Sequence, residues 1–203
     1  MKNNIKVIIL DFGGTFFTAG TGIAIDKAAN KLGLPKSKIE LILRDKGDGA
    51  LYRLGKIDAK TFWDRAKKKF DINSRQAKEI ELIWHSSYKP NKGMMALVRK
   101  LKKKYKIVVV SGNAPERVRY LKKKYSLDKL FDNYFFSFQY GVTKPSPKLF
   151  EISLARLKVK PEECLIIDDS KKTMGRAKKL DCKMLLFKNA AQTTRDLTKL
   201  GIL

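Results

Sequence analysis

Five short runs of nearly unbroken apolar residues limit what this chain can become. They are "IKVIILD" from residue 5, "IVVVSGN" from 107, "NYFFSF" from 133, "ECLIIDDS" from 163 and "CKMLLF" from 182. A strand with one wet face alternates apolar and polar residues, whereas a strand buried on both faces does not, and that is the signature of a parallel sheet. Between these runs, roughly at 93–105, 115–125, 147–157 and 171–180, apolar residues recur at helical spacing with lysines on the opposite face. The alternation predicts an α/β fold, a Rossmann-like parallel sheet covered by helices.

Residues 18–90 break the alternation. They carry helical patterns at about 23–33, 37–45, 59–70 and 74–86, with "GLP", "KGDG" and "FDINS" as breakers and Ser37 and Glu40 in capping-box spacing. No strand is expected there. The expectation is an inserted helical domain over 18–90, with hinges near Thr18 and Pro90, and a sheet domain made of 1–17 and 91–203. Phe62, Trp63, Phe70 and Trp84 fall at helical spacing and are expected to fill the core of the helical domain.

Composition narrows the setting. With 203 residues and 43% hydrophobic content the chain can bury a core without staples. The two cysteines, Cys164 and Cys182, sit in apolar runs and read as core residues of a reducing compartment. No stretch reaches the ~20 apolar residues of a membrane helix, and the start does not resemble a signal peptide. A cytoplasmic location with no membrane partner is expected. The 45 Lys and Arg against 20 Asp and Glu give +25. This charge is spread over helix surfaces without a nucleic-acid motif, so only weak, non-specific nucleic-acid association and a monomer held apart by repulsion are expected. His85, the only histidine, reads as a packing residue. Arg44 and Arg53 are candidate contacts from the helical domain to an anionic substrate, with solvated helix arginines the safer reading.

In an open parallel sheet the ligand crevice lies beyond the carboxyl ends of the strands. The first run delivers Asp11 there, the second Ser111 and Asn113, the fourth Asp168 and Asp169, and Lys144 follows the third. A carboxylate nucleophile, a hydroxyl donor, an ammonium and a carboxylate pair are what holding and attacking a phosphate needs.

These residues stand in four ordered motifs, "DFGGT", "VVVSGN", "KPSPKLFE" and "CLIIDDS". In their order, and with the helical insert that includes "YRLGKIDAKTFW", the chain resembles the haloacid dehalogenase (HAD) superfamily, phosphatase branch. The resemblance implies that Asp11 is the nucleophile forming an aspartyl phosphate and that residues 18–90 are a mobile cap. It implies that Ser111 and Lys144 are catalytic and grip the phosphoryl group, with Phe12, Gly13, Gly112 and Asn113 completing the substrate site. It implies Mg2+ on Asp11, the main-chain carbonyl of Gly13 and Asp169, with Asp168 in support, and a small phosphorylated substrate. Thr15 would shape the loop.

Two departures from the family pattern matter. Gly13 stands where HAD phosphatases usually carry a second aspartate, which protonates the leaving alkoxide and then activates water. A group of this kind is typically worth 10²–10⁴-fold, or roughly 3–5 kcal/mol. Thr173 stands where relatives commonly have an acidic residue or asparagine. Two alternatives to a slow phosphatase therefore stay open: a non-catalytic binder of a phosphorylated ligand or nucleic acid, and a dehalogenase or phosphonatase, which do not use the acid.

Overall fold

The computed structural model describes residues 4–144 and 146–203; Met1 to Asn3 of the sheet domain and Pro145 of the "KPSP" motif lie outside the described residues. Five strands form one sheet in the order β3-β2-β1-β4-β5. They are β1 (Val7–Leu10), β2 (Lys106–Ser111), β3 (Asn133–Phe136), β4 (Cys164–Asp168) and β5 (Lys183–Leu186), and every pairing is parallel. β1 is central, with Val7 facing Lys106 on one side and Cys164 on the other.

Successive side chains of a strand point to opposite faces, so each apolar run supplies two cores. Ile8 and Leu10 join a cluster with Leu97, Val98, Val118, Leu121 and Leu197. Those belong to α6 (Lys92–Leu101), α7 (Pro115–Tyr125) and α11 (Ala190–Lys199). Val7 and Ile9 join Val108, Val110, Leu149, Phe150 and Ile166 on the opposite face, covered by α9 (Lys148–Leu157) and α10 (Lys171–Ala177). A four-residue helix, α8 (Ser137–Tyr140), follows β3. The two cysteines are free and buried, one position before the paired Leu165 and Lys183.

The insert is helical throughout: α1 (Gly20–Leu32), α2 (Lys36–Leu43), α3 (Asp48–Arg53), α4 (Ala59–Phe70) and α5 (Ser74–Ser86). It departs from expectation in two places. "KGDG" does not separate helices but opens α3 at Asp48. The Ser37 and Glu40 pair does not cap α2, which starts one residue earlier after Pro35 with no side-chain cap. Proline's fixed φ already suits a helix start. The capping box that forms is Asn73 with Gln76, each side chain meeting the other's main-chain N–H at 2.9 Å. The chain enters and leaves the insert side by side: Thr18 N–H donates to the Lys89 carbonyl at 2.9 Å and Lys89 N–H to Thr18 Oγ1 at 3.1 Å. No helix among the described residues is long and apolar enough to cross a membrane.

Phe62 and Trp63 are buried in the insert, and Phe70 packs partly buried at its edge. Trp84 is buried in the same cluster, its indole N–H donating to Thr21 Oγ1 at 3.0 Å and its ring lying against Arg117 on α7. His85 is a packing residue, buried beside Trp84 and Tyr120.

Candidate active site

Because the chain runs from β1 to β2 and β3 on one side and then returns to β4 on the other, the sheet's switch point lies between β1 and β4, where open α/β sheets bind ligands. Asp11, one residue past β1, and Asp168, the last of β4, stand there, both buried. Ser111 ends β2, and its hydroxyl donates to Asp11 Oδ1 at 3.2 Å. The Lys144 ammonium bonds Asp11 Oδ1 and lies 2.7 Å from Asp168 Oδ2. Both donors to Asp11 are thus on one carboxylate oxygen, and neither lies on Oδ2.

Three carboxylates face one ammonium. Burial, partly offset by Lys144 and reinforced by Asp168 and Asp169, pushes the Asp11 carboxyl up to about 6. Burial and the Asp168 charge likewise raise Asp169. Burial would lower the Lys144 ammonium, but Asp11 and Asp168 outweigh it and hold it above the usual lysine value. The site therefore carries negative charge that the protein does not neutralise, which a divalent cation would relieve.

No cluster of three or more His, Cys, Asp or Glu side chains forms a ready-made cage among the described residues. Magnesium does not require one, since it is usually held by one or two carboxylates with waters and substrate phosphate. The loop fits that arrangement. Gly14 has φ +97°, and a Cβ there would sit 2.8 Å from Asp169 Cγ, so glycine is what lets the Asp169 carboxylate reach the loop after Asp11. Asp11 and Asp169 with a main-chain carbonyl are the residues that could hold such an ion, a hard-oxygen set.

A cavity of about 560 Å³ opens over these groups, within the range of small-molecule sites. Asp11, Gly13, Ser111, Gly112, Asn113, Lys144, Asp168 and Asp169 all line it. Thr173 lines it too, its N–H donating to Ser170 Oγ. Phe12 does not: its ring is fully buried against Phe17 and Phe136. Thr15 is buried, and its hydroxyl finds no partner among the described residues.

The insert supplies the opposite wall through Thr21, Arg44, Arg53 and Leu54. Of the two readings of these arginines, the solvated one fails for Arg53, whose guanidinium is largely buried while donating to the Asp45 carbonyl at 3.0 Å. Arg44 stays exposed and pairs with Glu40 at the rim.

The profile of haloacid dehalogenase-like hydrolases matches residues 5–181. This chain belongs to that family. An uncharacterised Dictyostelium discoideum protein is 31% identical over 156 residues, 74% of this chain; the match spans 66% of that protein, just under two thirds. The D-ribitol-5-phosphate phosphatase of Bacteroides thetaiotaomicron is 26% identical over 207 residues, 96% of this chain and 97% of that one. In structure, a HAD family enzyme from the same bacterium, crystallised with magnesium and inorganic phosphate, superposes with a TM-score of 0.74 at 20% identity, covering 91% of this chain and 95% of that one.

Within this HAD-like framework two residues had no sequence signal. Tyr88, just after α5, lies against the main chain of the site: a Cβ on Gly13 would meet its Cε1 at 3.2 Å, and one on Gly20 its Cγ at 2.7 Å. Its hydroxyl shares a 2.8 Å hydrogen bond with Thr21 Oγ1. Arg117 on α7 is 3% exposed. Its guanidinium is clasped by the Trp84 ring at 4.3 Å and the Tyr88 ring at 4.5 Å, and Nε donates to Asn113 Oδ1 at 2.6 Å. Asn113 Oδ1 also accepts from Ala114 N–H, so donation to a ligand falls to its Nδ2.

Proposed function

We propose that this HAD-like hydrolase is a Mg2+-dependent phosphatase of a small phosphorylated metabolite, working through an aspartyl phosphate on Asp11 and slow to release it. The observation that carries the reading is the Ser111, Lys144 and Asp168 constellation gathered on Asp11 at the switch point. The likeness to a sugar-alcohol phosphate phosphatase over nearly the whole chain supports it.

Asp11 Oδ2, the oxygen without a described donor, attacks phosphorus, and the bond to the leaving oxygen breaks. Ser111 and Lys144, which both bond Asp11 Oδ1, grip the phosphoryl oxygens, and Lys144 balances charge as the carboxylate becomes an acyl phosphate. When bound, magnesium held by Asp11, Asp169 and the Gly13 carbonyl supplies electrostatic stabilisation of the phosphoryl charge. No side chain at position 13 protonates the leaving group or activates water. Phosphates with good leaving groups are therefore the better substrates, and hydrolysis of the intermediate is the slow step. Helices α1 to α5 act as a cap that closes over the cavity and excludes water.

Asp11→Asn tests the reading. Magnesium-dependent phosphate release from an aryl phosphate is expected to vanish in the variant. Release that persists would exclude Asp11 as nucleophile, and salt-sensitive nucleic-acid binding with no turnover in either protein would favour a binding role.

A further inference from the structure

Arg117 is the group that the reading above leaves unused. It is buried with its charge facing aromatic rings and an amide, and its Nη1 has no hydrogen-bond partner among the described residues. A buried guanidinium that keeps an unmet donor is costly, because burial of an ion without a counter-charge is among the most unfavourable arrangements in a protein. Burial first and the Arg117 charge second hold the Arg53 guanidinium below its ordinary value, and burial does the same to Arg117. Arg53 gives its hydrogen bond to a carbonyl rather than a carboxylate.

The acids of this region hold other donors, although the Asp45 charge also bears on Arg53. Asp45 accepts from Gly49 N–H and pairs with Lys69, Glu81 accepts from Trp63 and Glu116 from Tyr52. The cavity is therefore electrically two-ended. Asp11, Asp168 and Asp169 make the sheet end acidic, and Arg53 lines the helical end with Arg117 directly behind the lining residues Tyr88 and Asn113.

Resting on the phosphatase reading, we propose that the helical end of this cavity is a second anion subsite centred on Arg53 and supported by Arg117, and that the substrate is a phosphate ester carrying a second anionic group, a carboxylate or a further phosphate. Arg53 contacts the group. Arg117 is a positioning residue: it fixes Tyr88 and Asn113 and supplies unneutralised positive charge behind them. A guanidinium suits this task because its planar donors match carboxylate and phosphate oxygens. A neutral polyol phosphate would leave both cations unpaired.

Binding of phosphonates that cannot be hydrolysed separates this proposal from turnover. Isothermal titration with excess magnesium in cell and syringe compares alkylphosphonates, ω-carboxyalkylphosphonates and alkane bisphosphonates of two to five methylenes. At one chain length the doubly anionic compounds are expected to bind about ten-fold or more tighter than the matched alkylphosphonate, the scale of a charge-assisted hydrogen bond. The arm with the larger gain names the second group as carboxylate or phosphate. In Arg53→Gln that ratio is expected to fall close to one, and Arg53→Lys to recover part of it, with thermal melts verifying that both variants fold. Equal affinities at every length, or a preference that survives Arg53→Gln, would overturn the second subsite while leaving the phosphoryl site standing. If no phosphonate binds, both the subsite and the phosphatase reading fall.

Discussion

Restoring an acid at position 13 tests what its loss means. The main chain at Gly13 lies outside the positive-φ region that Gly14 occupies, so its backbone accepts any residue. What stands in the way is Tyr88, whose Cε1 would be 3.2 Å from the new Cβ. The ring has little freedom to retreat, pinned by Thr21 through its hydroxyl, by Arg117 on its face and by the absence of room at Gly20. Gly13→Asp is therefore an overpacking substitution costing about 1–3 kcal/mol, which for a chain of this size lowers the melting temperature by roughly 2–12 °C. Against that, the carboxylate returns the acid/base function, worth about 10²–10⁴ in rate. Quenched-flow decay of the phosphoenzyme is expected to accelerate at least ~10²-fold while the thermal melt falls. Adding Tyr88→Leu should recover part of the lost stability. Unchanged decay in a folded Gly13→Asp protein that still binds magnesium would refute the claim that Gly13 sets the slow step, and an unchanged melt would refute the crowding by Tyr88.

Gly14→Ala would drive a methyl group into the Asp169 carboxylate at a φ that L-residues avoid. Magnesium at ten times its Kd should stabilise the wild type by about 1.4 kcal/mol, or roughly 3–6 °C, and the variant should lose that shift in a melt with and without the ion. His85, buried beside Trp84, Tyr120 and the Arg117 charge, has its imidazole lowered to about 3 by burial first and Arg117 second. Below its unfolded value near 6.5 the unfolded chain binds a proton that the native state refuses, so stability falls with pH by up to about 1.4 kcal/mol per unit down to the folded value. Urea titrations at pH 6.5 and pH 5 should show His85→Leu losing about 1.6 kcal/mol less than wild type over that interval; equal losses would place the acid sensitivity elsewhere.

The sheet end of the candidate site was legible because β1, β2 and β4 each deliver a candidate residue at the carboxyl end. Asp11, Ser111 and Asp168 follow directly from apolar runs, and the sheet order then brings them together. The far end was legible only in Arg53, as a candidate contact to an anionic substrate beside the safer reading of a solvated cation. Tyr88 and Arg117 gave no signal, because they acquire meaning only from each other and from Arg53 across long stretches of chain. Helix α3 was hidden by glycines that usually mark turns. α11 was missed because its sequence is mostly polar, although Asn189 and Gln192 stand in cap spacing and the Asn189 side chain accepts from Gln192 N–H at 2.8 Å. The Ser37 and Glu40 pattern failed for the opposite reason, a local signal overridden by Pro35 two residues before Ser37.

The central claim is that Asp11 is a working nucleophile whose product hydrolyses slowly. Rapid mixing with p-nitrophenyl phosphate and magnesium, with intact mass measured on quenched samples, tests it most directly, since nitrophenolate leaves without a general acid. The account predicts a burst of nitrophenol near one equivalent and a phosphorylated protein whose label maps to Asp11 and is absent in Asp11→Asn. Neither burst nor mass shift, in protein that demonstrably binds magnesium, would contradict it.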